Sequence, residues 1–514
     1  AVVTYANMRG VRSVDRIVDL CERDLAFIWL TRGQKPKRDA FYDFKNRKLT
    51  SDILDDLNYQ FMRRLQKEGL VTLKELFIDG TKIEANANRY TFVWRGSINY
   101  HLAGLLDSID QLFEKYNSFL QENDYGTKYE LGNAQMFVIE GMDKVREVIE
   151  KNRKRKLVKH KKLSNNRIIE IDNCSPLEIR KLQNNLTMIA DNEGIEFVYG
   201  KGKRKPALQQ LHEELEQCGK RLMEYKECFE IMGKDRNSYS KTDLEATFMR
   251  MKEDHMLNGQ LKPAYNVQIA VENYFIVHGY VSSDRTDYNT LIPVLEKHKN
   301  AFGSILEKVT ADSGYCSEKN LLYLKQNEIS SYIKLQDHEK RKTRAYSEDI
   351  SKYYNMRTGI FEDEQFYICH DGRELRHLRT ESKEQDGYTQ TFEVYGCADC
   401  SGCEHKARCL YKYDAEKDAE KNKVMKINEQ WEELKERSHA NIQSERGILK
   451  RQTHSIQTEG HFGDIKENEN FRRFNYRSAD KVYKEFMLYA IGRNINKYHR
   501  FLYEKLRKFE GKTA

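Results

Sequence analysis

Apolar side chains recur every three or four residues through residues 1–70, which is the period of an amphipathic helix. Ser13 can cap a helix over SVDRIVDLCERDLAFIWL, and further helices are predicted over RDAFYDFKNRKL and SDILDDLNYQFMRRLQKEG, after a break at Pro36. Short helices with an Arg- and Lys-rich middle member fit a helix-turn-helix DNA reader, and a plain helical bundle fits the same pattern equally well. We predict a helical N-terminal domain over residues 1–70, with DNA binding as its function.

The pattern changes to apolar strands in two separated stretches. LKELFIDGTKI provides a first strand within residues 71–95, and a mostly helical, charged and basic insertion follows over residues 96–235. AYNVQIAVE and YFIVHGYVSS then form a predicted hairpin through Asn273, and the order helix, strand, helix, strand follows in TLIPVLEKHKN, LEKVTADSGY, SEKNLLYLKQN and SYIKL. This order over residues 236–340 predicts an α/β fold, in which a mixed sheet is flanked by helices.

The rest of the chain is predicted to contain a small β-rich insertion and a helical end. In FYICHDGRELRHL an Asp371-Gly372 pair lies between two strand-like runs, which is a hairpin signal. This hairpin and the cysteine-rich TFEVYGCADCSGCEHKARC place the β-rich insertion at residues 341–439. Helical sequence fills residues 440–514, including SERGILKRQTHSIQTEGHFGDIKEN.

The composition excludes several classes of protein. With 514 residues, roughly three domains are expected at about 150 residues each. No apolar run approaches the ~18–20 residues of a membrane helix and the start, AVVTYANMRGVRS, lacks a signal-peptide pattern, so we expect a cytoplasmic protein with no membrane partner. The net charge of +8 and the basic runs at 151–162 and 201–205 fit a DNA backbone, although solvated helix faces also explain such lysines.

Three acidic residues lie where a carboxylate is hard to explain by folding alone. Asp79 and Asp312 each end an apolar strand beside a glycine-containing turn, which is where an α/β sheet presents a site. Glu459 lies in a helical run with Gly460 and Gly463, and each glycine costs a helix about 1 kcal/mol relative to Ala. That cost indicates a close backbone approach on this face, by a neighbouring strand or by a nucleic-acid backbone.

Two basic positions extend this candidate site. Lys466 follows Glu459 by seven residues, which in an α-helix places it two turns along the same face. A metal-binding Glu followed by a phosphate-reaching Lys suits phosphoryl transfer, whereas an exposed surface pair explains the spacing alone. The segment from Lys252 through Tyr265 is rich in basic and polar residues and is a candidate DNA contact, with a structural loop as the alternative.

Four motifs follow one another along nearly the whole chain in an order that resembles a known family. They are FIDGTKIEANANRYTFVW around Asp79, SKTDLEATFMRMKEDHMLNGQLKPAYNVQIAV, TADSGY around Asp312, and TEGHFGDIK around Glu459. Together they resemble bacterial insertion-sequence transposases of the DDE type, in the group usually labelled eleven-eighty-two. The resemblance implies an RNase H-like catalytic core.

The resemblance further implies that Asp79, Asp312 and Glu459 form a catalytic triad for DNA cleavage and strand transfer. Carboxylates suit Mg²⁺ or Mn²⁺, and two ions about 3.5–4 Å apart can activate a water and stabilise the leaving oxygen. We expect Asp79 to bridge both ions and the other two acids to hold one each. The implied partners are the terminal inverted repeats, target DNA and a second copy of the chain, since DNA ends must be paired.

The DNA-binding residues follow the family pattern only in part. Lys466 matches the Lys that lies seven positions after the family's Glu. A broader family pattern has Tyr and Arg before the Glu, where this chain has Gln452 and Ser455. Nearby basic side chains that can replace that Arg are Arg446, Arg451 and His454.

The chain has 10 cysteines, six of which, Cys369 among them, are scattered. The other four, Cys397, Cys400, Cys403 and Cys409, are spaced closely enough to bind one metal ion. Four thiolates fit a structural Zn²⁺, the spacing partly resembles a bacterial iron–sulfur run, and a cluster without metal stays open. His405 is a candidate substitute ligand.

Three functions are compatible with the sequence. The first is an active, metal-dependent DDE transposase. The second is a catalytically inactive or domesticated DNA-binding relative, and the third is another RNase H-like nuclease, such as a resolvase or an RNA-degrading enzyme. The motif order favours the first, and the departures at the Tyr and Arg positions keep the second open.

Overall fold

The computed structural model of the protein describes residues 1–134, 176–233, 236–251, 259–362, 364–385 and 388–513. The basic run at 151–162 and the candidate DNA contact Lys252 therefore lie outside the described residues. Within the described ranges, no helix combines the length and the apolar character that crossing a membrane requires.

Short helices form the N-terminal part of the chain. They are Val2–Met8, Val14–Arg23, Leu25–Leu30, Arg38–Asp43, the π-turn Phe44–Lys48, and Ser51–Lys67. The single helix predicted after Ser13 is wrong, because it is divided at Asp24. This residue has an extended backbone, and its carboxylate accepts hydrogen bonds from the N–H groups of Ala26 and Phe27, which starts a new helix.

The described strands are numbered here in chain order. They are β1 Glu75–Glu84, β2 Phe92–Trp94, β3 Ser238–Ser240, β4 Thr247–Arg250, β5 Leu261–Glu272, β6 Phe275–Ser282, β7 Lys308–Ala311, β8 Ser330–Ile333, β9 Arg357–Phe361, β10 Glu364–Ile368, β11 Glu374–Gln385, β12 Tyr388–Cys397 and β13 Val424–Ile427.

A six-stranded mixed sheet carries the candidate site. Strand β5 pairs antiparallel with β1 along one edge and with β4 and β6 along the other. Strand β7 pairs parallel with β1, and β8 pairs parallel with β7. The predicted β5–β6 hairpin is present, and both Asn273 and Tyr274 in its turn have positive φ, 47° and 66°, as a type I′ turn requires.

Helices cover both faces of this sheet. They include Leu291–Phe302, Glu318–Gln326, Glu429–Gln443, Glu445–His454, Gly460–Gly463 and Ala479–Thr513. Side chains alternate between the faces of a strand. Ala270 packs with the helices Ser51–Lys67 and Leu291–Phe302, whereas Ile269 and Val271 pack with the C-terminal helix. The sheet is therefore buried on both sides, as its nearly continuous apolar strands predict.

A second sheet and a helical unit lie outside this central layer. The second sheet has the order β13–β12–β11–β10–β9, and Gly372 with φ 79° makes the predicted hairpin turn between β10 and β11. The buried Glu318 links the two sheets, since its carboxylate accepts hydrogen bonds from Tyr388, Gln390 and Asn428.

The helical unit consists, within the described residues, of Arg95–Glu122, Tyr125–Lys128, Pro176–Glu193 and Ala207–Met232. Its three long helices share an apolar core that contains Leu106, Leu186 and Leu215. This core is separate from those of the central sheet. The division of the chain into a helical insertion and a catalytic core stays a prediction.

A buried histidine pair joins the central sheet to its covering helix. His298 Nε2 donates to the carbonyl of Leu73 at 3.0 Å, so its Nδ1 accepts from His278 Nε2 at 3.0 Å. Burial lowers the pKa of His298 to about 4, and it lowers the pKa of His278 well below the ordinary value. Both rings are therefore neutral in the folded protein, and protonation of His298 would place two donors against each other.

We expect this pair to make the free energy of unfolding depend on pH. Because the folded pKa of His298 lies below the unfolded value of about 6.5, the contribution is complete above pH 6.5 and is lost as the pH falls towards about 4. The measurement is the urea midpoint at pH 7.5 and 5.0 for the wild type and His298→Gln. Gln cannot titrate, so the variant should lose less stability at pH 5.0; equal losses would contradict the assignment.

Candidate active site

Asp79 lies within β1, and the prediction that it ends a strand is wrong. Antiparallel pairing with β5 continues from Phe77 through Glu84, with Asp79 opposite Ile269 and Gly80 opposite Gln268. The glycine that suggested a turn is an extended strand residue beside crowded side chains. What does stop near Asp79 is the parallel pairing with β7, whose last pair is Ile78 and Ala311.

Asp312 directly follows β7, as predicted. Its backbone stays extended (φ −78°, ψ −179°), and its Oδ1 accepts from the N–H of Gly314 at 2.7 Å, which caps the short 3-10 turn Ser313–Tyr315. Since Ile78 pairs with Ala311 in parallel register, Asp79 and Asp312 occupy the next pair of positions. Ile78 and Ala311 face one core, so alternation directs the two aspartates to the opposite face.

The helical segment that carries Glu459 packs on this opposite face. Phe77, which shares the face of Asp79, has its ring 6.5 Å from the ring of His454. His454 Nε2 donates to the carbonyl of Ile78 at 2.9 Å, and the π-turn Ser455–Glu459 that follows contacts β1 and β5. The structure thus brings the turn of Glu459 to the sheet face on which Asp79 and Asp312 lie.

The three acids differ in their exposure. Asp79 is buried, with 9% of its surface accessible, whereas Asp312 and Glu459 are exposed. Glu459 Oε2 accepts from Ser455 Oγ at 2.8 Å, so the residue at the family's Arg position contacts the catalytic candidate directly. The candidate site is therefore open to solvent at Asp312 and Glu459.

The helical spacing predicted between Glu459 and Lys466 is wrong. Two π-turns, Ser455–Glu459 and Asp464–Asn468, flank the short helix Gly460–Gly463. A π-turn closes its hydrogen bond over five residues instead of four, so positions seven apart no longer share a face. Lys466 is accordingly buried, with 7% of its surface accessible, while Glu459 is exposed.

The surroundings of Gly460 and Gly463 test whether a neighbouring strand requires glycine at these positions. A Cβ on Gly460 or Gly463 would meet no described atom of the chain within 4 Å, apart from the neighbouring residues and helix backbone. A neighbouring strand therefore does not require them. Both lie exposed next to Glu459, and the approach of a nucleic-acid backbone stays a prediction.

A fourth acid, Asp287, is absent from the residues that the sequence predicts. Its Oδ1 accepts from Asn266 Nδ2 at 2.7 Å and from Gln268 Nε2 at 2.9 Å, and both donors lie on β5. The hydroxyl of the fully buried Tyr315 donates to Gln268 Oε1. No local pattern marks Asp287, since an Asp in the loop DRTDYNT before a helix resembles an ordinary turn or cap residue.

Asp287 contributes to the crowding around Gly80 and Gly314. A Cβ on Gly80 would meet Gln268 Nε2 first and would stand 2.9 Å from Asp287 Oδ1, and one on Gly314 would stand 2.9 Å from Asp312 Oδ1 and 3.1 Å from Asp287 Oδ2. Such contacts force a neighbouring side chain to move. The pKa of Tyr315 lies well above its ordinary value because of burial and then the charges of Asp287, Asp79 and Asp312.

The donors of this site are all carboxylate oxygens, which are the ligands that Mg²⁺ and Mn²⁺ prefer. Two neighbouring aspartates also repel each other, and a bound cation would relieve that repulsion. The residues therefore fit a hard divalent ion chemically. Among the described residues, however, no three His, Cys, Asp or Glu side chains are grouped closely enough to hold a metal ion. Joint binding by all three acids thus requires their side chains to rearrange.

The remaining DNA-binding candidates are only partly placed. Arg451 is half-buried in the helix Glu445–His454, and its Nε has no hydrogen-bond partner within the described part of the chain. Arg446 is exposed on the same helix, and His454 is engaged with β1. Lys252 lies outside the described residues.

The cysteine cluster lies at one end of the second sheet. Cys397 ends β12, and the N–H of Lys423 donates to Cys400 Sγ at 3.4 Å. The pKa of the Cys397 thiol is raised to about 11, mainly by burial and secondly by its contact with Cys400. Cys403 and Cys409 follow in the next turn and in the helix Lys406–Cys409.

Cys369, which is distant from the other four in sequence, packs beside this cluster against the group that contains Cys397 and Cys400. The pKa of the Cys409 thiol is raised mainly by burial. The positive charge of Lys423 lowers this pKa, and the neighbouring thiols of Cys369, Cys400 and Cys403 raise it further. The β10–β11 turn brings Cys369 there from a distant part of the sequence, which spacing alone does not reveal. The ring of the substitute candidate His405 lies 4.7 Å from that of His370.

Comparison with known proteins relates the C-terminal part of the chain to one family. Residues 368–499 match the family model of the transposase DDE domain. This range contains Glu459 and the cysteine cluster, and it leaves out Asp79 and Asp312. No curated protein and no solved structure matched the chain.

We expect the cysteine cluster to bind a structural metal, at about one equivalent of zinc or iron per purified chain. Binding would require the thiols to move together, because no three Cys or His side chains in the described part of the chain are grouped closely enough to hold an ion. The measurement is elemental analysis of the wild type, of Cys400→Ser with Cys403→Ser, and of Cys218→Ser. Cys218 is a half-buried thiol in the separate helical unit, so its variant should keep the metal that the double variant loses. A wild-type chain free of both metals would show that the cluster is a thiol core.

Proposed function

We propose that this chain, whose residues 368–499 match the transposase DDE domain, is a DDE-type transposase that binds the ends of an insertion sequence and carries out metal-dependent cleavage and strand transfer. The observation that carries the proposal is the pairing of Ile78 with Ala311, after which Asp79 and Asp312 follow on one face. Hydrolysis at the element ends would be followed by attack of the freed 3′-hydroxyl on target DNA.

The sheet supports an RNase H-like core. Three antiparallel strands, β6, β5 and β1, continue into β7 and β8, which run parallel to β1. One candidate acid, Asp79, lies on the central strand β1, and a second, Asp312, directly follows the adjacent strand β7. The third lies on a helical segment packed against the sheet face that carries Asp79, which is compatible with a shared site.

Asp79, Asp312 and Glu459 are the residues that would hold Mg²⁺ or Mn²⁺. When bound, such ions supply Lewis-acid polarisation of a phosphoryl oxygen and a more acidic water. The chain itself supplies the negative field and its placement. Register fixes the backbones of Asp79 and Asp312, Gly314 N–H orients the Asp312 carboxylate, and Ser455 holds Glu459.

Asp287 acts as a positioning residue in this proposal. It is anchored by Asn266 and Gln268 on β5, and its other oxygen borders the Gly314 turn that carries Asp312. Its negative charge lies beside the Asp312 turn, where it would favour the binding of a cation. Asp287 thereby couples the position of the Asp312 turn to the rigid sheet.

The partners and compartment belong to the same proposal. The substrates would be the terminal inverted repeats and target DNA, and pairing of two ends calls for at least a homodimer on DNA. The N-terminal helices, Arg451 and the open surface at Gly460 and Gly463 are the candidate DNA contacts. The bacterial cytoplasm is where such a protein would meet its element. An inactive DNA-binding relative is the alternative, and it predicts binding without cleavage.

Asp312→Asn tests the catalytic assignment. We expect DNA binding to survive, because the shape of the side chain is kept, and cleavage of a supercoiled plasmid carrying the cognate ends to fall by at least roughly a hundredfold in Mg²⁺ or Mn²⁺, because a metal ligand is lost. The matched control is Asp191→Asn, an exposed aspartate on the helix Pro176–Glu193. Wild-type cleavage by the Asp312 variant removes the assignment, and an inactive wild type favours the DNA-binding relative.

Asp287→Asn tests the positioning role. Asn keeps an oxygen for the two amide donors but loses the charge, so we expect slower cleavage and a higher Mn²⁺ concentration for half-maximal rate, at unchanged DNA affinity. Asp287→Glu should restore part of the metal response. An unchanged Mn²⁺ dependence in Asp287→Asn would show that the residue only packs the loop.

A further inference from the structure

A basic pocket lies where the N-terminal helices meet the C-terminal helix. The cavity itself is small, with a volume of about 20 Å³, and it opens to solvent. The residues that define it here are Arg12, Lys45, Asn46, Tyr476, Lys481 and Lys484. Four of these six side chains are cationic, and Glu485 is the acidic residue that also lines the pocket.

Two of the cations are already paired with carboxylates. Arg12 lies 3.1 Å from Glu485 Oε1 and stacks 3.7 Å over the ring of Phe471. Lys484 lies 2.9 Å from Asp480. In contrast, the ammonium groups of Lys45 and Lys481 have no ion pair or hydrogen bond to another described residue, so the pocket carries an excess of positive charge.

Lys45 is the unusual member of this group. It lies on the π-turn Phe44–Lys48, and only 7% of its surface is accessible. Its ammonium group is 5.6 Å from the centre of the Tyr476 ring, a weak contact for a buried charge. The pKa of Lys45 is lowered mainly by burial. The negative charge of Glu485 raises this pKa, and the positive charge of Arg12 lowers it further. A buried cation without a counter-ion costs the folded state free energy.

Glu485 does not supply the missing counter-ion. Its Oε1 accepts from Arg12 and, at 2.7 Å, from Asn475 Nδ2. Its Oε2 accepts from the backbone N–H of Asn475 at 2.9 Å and of Tyr476 at 3.3 Å. Both oxygens are thus committed to other donors, and an anion from outside the chain is what Lys45 lacks.

We propose that this pocket binds one phosphate group of a DNA backbone, with Lys45 as its central contact. The inference rests on the proposed function for the source of the phosphate. A phosphodiester carries a single negative charge, which matches the unpaired charge of Lys45, and Lys481 is exposed at the mouth. An open mouth admits a phosphate that stays attached to a polymer. The pocket would fix the N-terminal helices and the C-terminal helix to the same DNA strand.

Lys45→Met in the full chain tests the proposal with two measurements, DNA affinity, which should fall, and melting temperature, which should rise. Binding of a duplex with the cognate ends, measured without divalent metal at several salt concentrations, should weaken, and the slope of log Kd against log salt should fall by about one. The melting temperature should rise, because a buried, unpaired cation is replaced by an apolar side chain of similar length. The control is Lys67→Met at the exposed end of Ser51–Lys67, which should change neither readout.

A second arm distinguishes the sources of phosphate. Inorganic phosphate should raise the melting temperature of the wild type only weakly. A DNA duplex should raise the melting temperature of the wild type by more than it raises the melting temperature of Lys45→Met. Stabilisation of the wild type by inorganic phosphate alone, with equal DNA affinity in both proteins, overturns the DNA assignment. A lower melting temperature in Lys45→Met, or an unchanged salt slope, overturns the pocket itself. Because no cleavage is measured, failure of the proposed catalysis would appear separately, in the Asp312 experiment.

Discussion

The register between β1 and its two neighbours is the constraint on which the candidate site depends. Strand β1 is held antiparallel by β5 and parallel by β7, so its position along both is fixed. A slip of one residue would turn Asp79 into the apolar core and bring Ile78 to the site. Packing of Leu76 and Ile78 against the helices on the other face resists that slip. Hydrophobic burial thus determines where the carboxylates point.

Departures from regular structure cluster around these carboxylates. Gly80 leaves room for Gln268 and Asp287, and Gly314 leaves room for Asp312 and Asp287. One π-turn ends at Glu459 and a second begins at Asp464. Regular α-helix would be the more stable default for this segment, and π-turns often mark functional sites. Lys45 also lies on a π-turn, which directs its ammonium group into the basic pocket. In both places local irregularity accompanies charged side chains of a proposed site.

The N-terminal helices and the C-terminal helix act as one support for the sheet. Arg12 pairs with Glu485, and the N-terminal apolar residues pack against Met487 and Ile491 of the C-terminal helix. The same helix covers β5 and β6 through Phe486 and Tyr489. DNA held at the basic pocket would therefore be connected by packed side chains to the sheet that bears the catalytic candidates, which gives the proposed strand transfer a rigid frame.

The sequence by itself determined the helical N-terminal part, the β5–β6 and β10–β11 hairpins and the strand before Asp312, and it suggested the three acids that are proposed as a triad. These depend on local periodicity, on turn chemistry and on motifs that stay together along the chain. Only the tertiary structure decided that Asp79 lies within a strand, that Asp287 borders the Asp312 turn, that Cys369 joins the cysteine cluster, and that Lys466 is buried. Pairing with β5, approach of a loop, closure of a hairpin and insertion of π-turns act between distant residues, or shift a helix by one position. Neither effect leaves a period in the sequence.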